Sequence, residues 1–230
     1  MAQSISKLSY LIQFSDSAFP VGTFSFSNGL ETAAYEGLVH DAKSLEEYAR
    51  SAALQGAYTD GVCALLAFRA AKKKKFDEIV RIDKALNMVK MNDEARLMLT
   101  RMGKKMAELI VRLFPSELSS RFLAEVNAEN IPGCFPIVQG LAFAEAGLDE
   151  RSLFASHQYG IVNMILGAAL RIVRVSHYDT QEILYRLGAE ADELYDKVKE
   201  MTLEEIHCFV PEMDIMASMH EKGNMRMFMS

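Results

Sequence analysis

Apolar side chains recur every three or four residues along most of the chain, and this period is the feature that most limits the folds available to it. The clearest stretch has the i, i+3, i+4 spacing of one helix face and comprises Leu45, Tyr48, Ala49, Ala52, Ala53 and Gly56. Strand-like alternation is confined to residues 23–27, where two phenylalanines alternate with small polar residues. The sequence therefore predicts an all-α protein.

The expected architecture is a single domain spanning residues 1–230, because the chain has no internal repeat and no low-complexity linker. We expect a bundle of about eight to eleven helices, preceded by an irregular N-terminal loop at residues 1–27. A C-terminal tail is expected at residues 222–230. The stretch IVNMILGAAL is apolar all round, so the helix at residues 150–175 is predicted to be the central buried one.

Short capping patterns predict several helix boundaries. Ser44 and Glu47 have the spacing of a capping box, and Asn28 stands where it would cap the first full helix. Gly147 is placed to end one helix and Asp149 to cap the next.

Composition argues against several classes of function. The formal net charge is -6, whereas nucleic-acid binders need a dense Lys/Arg surface, and the lysines at 72–75 are interpreted as a solvated helix junction. The three cysteines form no CxxC pair, so neither a zinc knuckle nor a disulfide framework is indicated. The N-terminal LSYLIQF is too short for a secretory signal, and residues 161–175 are shorter than the roughly 18–20 apolar residues that cross a bilayer. A cytoplasmic protein that binds neither nucleic acid nor membrane is expected.

No residue pattern indicates chemistry carried out by this chain. Gly22 and Gly29 suggest a phosphate loop, but a Walker loop needs a lysine and none occurs between Lys7 and Lys43. No two histidines stand at i, i+3 or i, i+4, although a metal site bridging an oligomer stays open. No serine lies in a GxSxG elbow. We therefore predict no catalytic residue, no metal ligand and no cofactor.

Asp60 is the carboxylate with the most apolar sequence surroundings. An unpaired charge there would be costly, and two interpretations follow. In the first, Asp60 caps a helix that starts at Gly61. In the second, it forms a buried ion pair with a cation such as Arg101 or Arg171.

The segment FSDSAFPVGTFSFSNGLE, residues 14–31, carries four phenylalanines in a stretch broken by proline and glycine. We expect Phe14 and Phe19 to anchor it to the core, and Phe24 and Phe26 to cover a partner. The C-terminal end is rich in methionine, which suits adaptable contact surfaces. A free apolar tail would promote aggregation, so we expect it to dock, either on its own core or on a partner.

Three motifs in order along the chain resemble the urease accessory protein UreF family. SDSAFPVGTFSFSNGLE is similar to the family's SDxxFPxGxFxxSxGLE, LTRMGKKM to its TRxMGR segment and MHEKGNMRMFMS to its HExxYSRLFxS terminus. Asn224-Met225 departs from the Tyr-Ser of that terminus, and HYDTQ departs from a QTDGQ-like turn.

The resemblance implies an all-α, non-enzymatic scaffold that dimerises. Its implied partners are the accessory protein UreD (UreH in some species), the GTPase UreG and apo-urease, to which the assembly delivers nickel. The signature loop would bind partners through Phe19, Pro20, Gly22, Phe24, Gly29 and Glu31, to which the alternating pattern adds Phe26. The tail that docks into UreD would comprise His220, Glu221, Arg226, Phe228 and Ser230.

The alternative function is that of an all-α enzyme or small-ligand sensor with a pocket in the helical core. Asn163 and Arg171, on an otherwise apolar helix, would be the polar contacts of such a pocket.

Overall fold

The computed structural model describes residues 4–221 and 227–228, without the side chains of Phe24 and Glu221. Every regular element in this part of the chain is helical, which confirms the all-α fold class. The α-helices are Ile5–Ser15 (α1), Leu30–Tyr35 (α2), Ala42–Gly56 (α3), Val62–Lys72 (α4), Phe76–Val89 (α5), Asp93–Leu113 (α6), Glu117–Asn127 (α7), Phe135–Glu145 (α8), Glu150–Ile172 (α9), His177–Ala189 (α10), Ala191–Val198 (α11) and Pro211–Glu221 (α12). A π-helical turn, Ala57–Gly61, makes α3 and α4 one continuous helix, so the described residues contain eleven helices, within the expected range.

The N-terminal segment is more regular than the expected loop at residues 1–27. Helix α1 is capped by the Ser4 side chain, and it buries Phe14 while Tyr10 and Leu11 pack against the core. The predicted loop was wrong for residues 5–15, which form a helix. Tyr10 and Phe14 stand one helical turn apart and therefore face the core together, and the loop prediction did not take this spacing into account. Residues 16–29 are the irregular part. Within them Thr23–Ser25 form a 3-10 turn instead of the strand that alternation favoured.

Two apolar clusters form the core, and α9 contributes to both. The first gathers buried side chains of α4, α5, α6, α7 and α8 together with Leu153 and Phe154 of α9. The second joins α2, α3 and α10 to the C-terminal half of α9, including Ile165 and Leu166. The expected central position of this helix is therefore confirmed. Helix α8 is buried more evenly, however, since all its residues from Pro136 through Phe143 are buried.

Helix α9 also has the length and apolar composition of a membrane span, the one such helix in the described part of the chain. Of its most apolar window, 56% is buried inside the protein, and buried core helices share this composition.

Capping side chains start six of the described helices. Asp149 caps α9 through the Ser152 amide, and Gly147 ends α8 with a left-handed φ of 67°, as predicted. The capping box at α3 is shifted from the predicted one. Asp41 is the cap and accepts from the Ser44 amide at 2.8 Å, while the Ser44 hydroxyl accepts from the Asp41 amide. A carboxylate three residues upstream of Ser44 thus starts the helix one turn earlier.

Candidate functional site

The end of the signature loop packs directly against the last helix. Gly29 has a left-handed φ of 78°, and a Cβ there would lie 3.2 Å from the Ala217 amide nitrogen and the Met213 carbonyl oxygen of α12. Glycine is therefore needed for this approach. The preceding Asn28 is also left-handed, with φ 53°, and its carbonyl accepts from the Tyr48 hydroxyl at 2.7 Å. The prediction that Asn28 caps a helix was wrong, because Gly29 occupies the cap position of α2.

Three segments distant in sequence meet at what we call the Glu31–His220 junction, defined by Glu31, Glu94, His220 and the backbone of Met227 and Phe228. His220 Nε2 lies 2.9 Å from Glu31 Oε2, and its Nδ1 lies 3.0 Å from both carboxylate oxygens of Glu94. The Glu31 carboxylate also accepts from the amides of Met227, at 2.8 Å, and Phe228, at 3.1 Å. One side chain of the signature loop thus holds both the last helix and the described part of the tail.

The junction is largely shielded from solvent. The side chains of His220, Glu94 and Glu31 are 3%, 6% and 18% exposed. Burial alone would raise the pKa of the Glu31 carboxyl, but hydrogen bonds from the Met227 amide, His220 and the Phe228 amide outweigh it and hold that pKa below its ordinary value. Glu31 is therefore ionised, and the polar groups around it compensate its buried charge.

The Phe228 side chain completes the second apolar cluster. It is buried, and the guanidinium carbon of Arg171 lies 4.2 Å from the centre of its ring, a cation–π distance. Met227 beside it remains exposed. For residues 227–228 the structure thus selects docking on the chain's own core. Arg226, Ser230 and the side chain of Glu221, also expected in the tail site, lie outside the described residues.

Three phenylalanines of the signature loop are buried, whereas two were expected to be. Phe14 and Phe19 are buried and pack edge to face with ring centroids 5.6 Å apart, which confirms their anchoring role. Phe26 is also buried, so the expectation that it covers a partner was wrong. That expectation rested on a strand period of two, which the 3-10 turn at 23–25 does not have.

The exposed surface of the signature loop comes from residues 16–18 and from the turn at Pro20 and Gly22. Pro20 and Gly22 are exposed, and Gly22 has a left-handed φ of 89°. The side chain of Phe24 lies outside the described part of the chain. The structure therefore joins Gly29, Glu31, His220 and Phe228 into one site and leaves Pro20 and Gly22 at the surface.

The middle motif, LTRMGKKM, lies on α6 and serves packing. A Cβ on Gly103 would lie 1.8 Å from the Gly133 carbonyl oxygen, so α6 touches the loop before α8 backbone to backbone. Asp83 fixes that loop by accepting from the Gly133 amide at 2.8 Å and the Cys134 amide at 2.7 Å. Burial raises the pKa of the Asp83 carboxyl in spite of these two hydrogen bonds.

Asp60 lies in the π-helical turn and pairs with Lys90, a partner that the sequence analysis missed. The second interpretation, a buried ion pair, is confirmed, although its cation is Lys90 and not the suggested Arg101 or Arg171. The cap interpretation was wrong, because Gly61 and Val62 continue the helix with helical dihedrals. The one available signal was a lysine flanked by apolar residues in the stretch MVKM.

A chain of buried and partly buried polar groups runs from His157 of α9 toward α1. His157 Nδ1 lies 3.1 Å from Gln139 Oε1, Gln139 Nε2 lies 3.4 Å from Ser156 Oγ, and the Ser15 hydroxyl donates to Ser156 at 2.9 Å. Burial lowers the pKa of His157 to about 4, so its ring is neutral near pH 7.

The surface of the described residues includes clefts of about 650 Å³ and about 420 Å³. The larger is lined by residues of α6 such as Thr100, Arg101 and Lys104, and neither is lined by Asn163 or Arg171. Asn163 is half-buried, while Arg171 is exposed and stacked on Phe228. These two clefts therefore do not supply the core pocket of the alternative function. Within the described residues, no three His, Cys, Asp or Glu side chains are arranged to hold a metal ion.

Comparisons with known proteins agree with the motif resemblance. The family model described as UreF matches residues 39–188. The chain is 42% identical over 228 residues to "Urease accessory protein UreF 2" of Brucella canis, covering 99% of this chain and 94% of that protein. It is 39% identical over 223 residues to "Urease accessory protein UreF" of Yersinia pestis, covering 97% and 98% of the two chains.

Proposed function

The chain belongs to the UreF family of urease accessory proteins, and we propose that it is a non-enzymatic scaffold in urease maturation. In this proposal it binds UreD (UreH) and recruits the GTPase UreG, and the assembly delivers nickel to apo-urease. The scaffold acts in the cytoplasm as a homodimer.

The observation that carries the proposal is the Glu31–His220 junction. Glu31 and His220 stand 189 positions apart in the chain, yet the junction makes the signature loop and the terminal motif one surface element. An element in which hydrogen bonds already join both family motifs supports a docking role, because a preorganised surface loses less conformational entropy when a partner binds.

Exposed apolar side chains on the same segments support the choice of UreD as the partner. Ile215 and Met219 stand four positions apart on α12, so they share a face, and they are 52% and 43% exposed. Met227, whose amide binds Glu31, is 60% exposed. Methionine and isoleucine on a helix face are typical of apolar protein-binding surfaces.

The first test is co-expression of the chain with UreD and UreG, followed by size-exclusion chromatography. The double variant Ile215→Glu/Met219→Glu is expected to lose co-elution with UreD, because it places two charges in the proposed contact. Circular dichroism should show unchanged helical content. Deletion of residues 223–230 is expected to act in the same direction.

The matched control replaces two exposed apolar residues on another helix. Ile5 and Ile12 of α1 are 84% and 69% exposed, and Ile5→Glu/Ile12→Glu is expected to retain UreD. Equal loss in both double variants would point to general apolar adhesion. Full retention by the α12 variant would remove this face from the proposal.

A further inference from the structure

We propose that the Glu31–His220 junction is a proton-controlled latch for the C-terminal segment. The latch is closed while His220 carries a proton on each ring nitrogen and both carboxylates are ionised. It opens when the ring loses one proton, and residues 227–228 then leave Glu31. The latch concerns the tail that the proposed function assigns to UreD, but it exists in the isolated chain and is testable there.

The hydrogen-bond geometry determines the required protonation state. Both ring nitrogens of His220 face carboxylate oxygens, at 2.9 Å and 3.0 Å. An ionised carboxylate only accepts hydrogen bonds, whereas a neutral imidazole donates from one nitrogen and accepts at the other. A neutral ring would therefore direct one lone pair at a carboxylate. The imidazolium ion satisfies both contacts and converts each into a charge-assisted hydrogen bond.

The surroundings of the ring come from several helices. Glu94 faces it from α6 and Glu31 from α2, while the nearby Tyr48 of α3 uses its hydroxyl on the Asn28 carbonyl. From α9, Arg171 stacks on the Phe228 ring. Two carboxylates thus make direct contact with one imidazole, an arrangement that the charged form of the ring favours.

The same carboxylate links the ring to the tail. Glu31 Oε2 accepts from both His220 Nε2 and the Phe228 amide, and Oε1 accepts from the Met227 amide. The Nε2 proton is the one lost, because Glu31 is 18% exposed and can turn toward water, whereas Glu94 is 6% exposed. The Nε2 lone pair then repels Glu31 Oε2, and the Glu31 carboxylate lowers its free energy by turning toward water. Both tail amides lose their acceptor in that movement.

The latch has a limit on the acid side as well. The pKa of Glu31 is held below its ordinary value, so Glu31 stays ionised until the pH falls below the usual range of glutamate. On the acid side the docked tail is therefore expected to persist until Glu31 takes up a proton.

The test uses a reporter in the tail. The chain contains no tryptophan, and Met227 is exposed and contributes its backbone amide to the junction, so Met227→Trp introduces a single fluorophore there. Its fluorescence anisotropy is expected to fall as the pH is raised from about 6 into the alkaline range, because the docked form holds one proton more than the released form. The latch is open at every pH in the Glu31→Ala derivative of this protein. The decrease in anisotropy should therefore bring the parent most of the way to the anisotropy of that derivative.

Glu94→Gln in the same background is the decisive variant. The glutamine amide can donate to a neutral Nδ1 or accept from a protonated one, so both protonation states of the ring satisfy their contacts. The anisotropy of this variant is expected to stay high across the whole interval. His220→Leu, which removes both ring donors, is expected to stay low, and His177→Gln, an exposed histidine on α10, should reproduce the parent curve.

The latch is refuted if the parent anisotropy does not change with pH while circular dichroism reports a folded protein. It is also refuted if Glu94→Gln keeps the pH dependence of the parent. UreD does not enter either measurement, so these results leave the proposed scaffold function unaffected.

Discussion

Lys90 compensates the charge that the π-helical turn buries. Its ammonium group binds Asp60 Oδ2, which also accepts from the Thr59 hydroxyl at 2.9 Å. Burial by itself would raise the pKa of Asp60 and lower that of Lys90. Their mutual attraction outweighs it, so the pKa of Asp60 is lowered and that of Lys90 is raised. Removal of either residue would therefore leave the charge of the other buried without its ion-pair partner.

Lys90→Met is expected to lower the free energy of unfolding by about 3–5 kcal/mol at pH 7, because it leaves the Asp60 carboxylate buried without its cation. Urea denaturation followed by circular dichroism measures this loss. The double variant Asp60→Asn/Lys90→Met removes both charges and is expected to recover most of it.

The pH dependence of the same variants has a definite sign. In the parent the lowered pKa of Asp60 contributes stability that is lost as the pH falls through its folded value. In Lys90→Met, burial without a cation raises the pKa of Asp60, so acid favours the folded variant. The stability difference between the two proteins should therefore shrink as the pH is lowered. A Lys90→Met protein within 1 kcal/mol of the parent at pH 7 would contradict this account of the pair.

At the level of secondary structure, the contact between α6 and the loop before α8 depends on Gly103. Gly103→Ala is expected to lower the free energy of unfolding by about 1–3 kcal/mol, since its Cβ would overlap the Gly133 carbonyl oxygen and push two backbones apart. Chemical denaturation measures the change.

Gly167 of α9 is the matched control, because it is exposed and a Cβ there would meet nothing within 4 Å. Gly167→Ala is expected to stabilise by up to about 1 kcal/mol, since alanine restricts the unfolded chain and favours the helix. Similar effects from both substitutions would show that helix propensity, and not the α6 contact, determines the role of Gly103.

The helices that could be predicted are those whose signals are local. Asp149 and Gly147 mark boundaries within a few residues of themselves, and the structure confirms both. The π turn could not be predicted, because it depends on a lysine 30 positions away that compensates Asp60. For the candidate site, the sequence indicated Glu31 and His220 separately. No local pattern pairs residues 189 positions apart, so their contact became visible only in the fold.

Across the whole molecule, ionised carboxylates connect helices that are distant in sequence. Glu46 of α3 accepts from Arg186 of α10 at 2.8 Å, and this hydrogen bond is the main reason that the Glu46 pKa is lowered. Glu150 of α9 accepts from Arg69 of α4 at 2.8 Å and from the Tyr195 hydroxyl of α11 at 3.0 Å. Burial would raise the Glu150 pKa, but these partners outweigh it and the net direction is downward. Both carboxylates therefore contribute stability above the ordinary pKa of glutamate.

Acid is accordingly expected to unfold the protein in part through these two residues. A group whose folded pKa is lowered loses its contribution as the pH falls through that value, so the free energy of unfolding should decrease between about pH 5 and about pH 3. Because both pairs are partly exposed, solvent screening limits each to about 0.5–1 kcal/mol. Glu46→Gln/Glu150→Gln should thus be about 1–2 kcal/mol less stable than the parent at pH 7, and the difference should shrink as the pH falls through the lowered pKa values of the two glutamates.

Urea denaturation at a series of pH values measures both curves, and added salt should narrow the gap at pH 7. Glu36→Gln/Glu47→Gln provides the control, since these exposed glutamates form no ion pair among the residues that the structure describes. The control should follow the parent curve. If the Glu46/Glu150 variant keeps the parent's slope between pH 5 and pH 3, acid acts elsewhere, and the two inter-helix pairs do not couple proton uptake to unfolding.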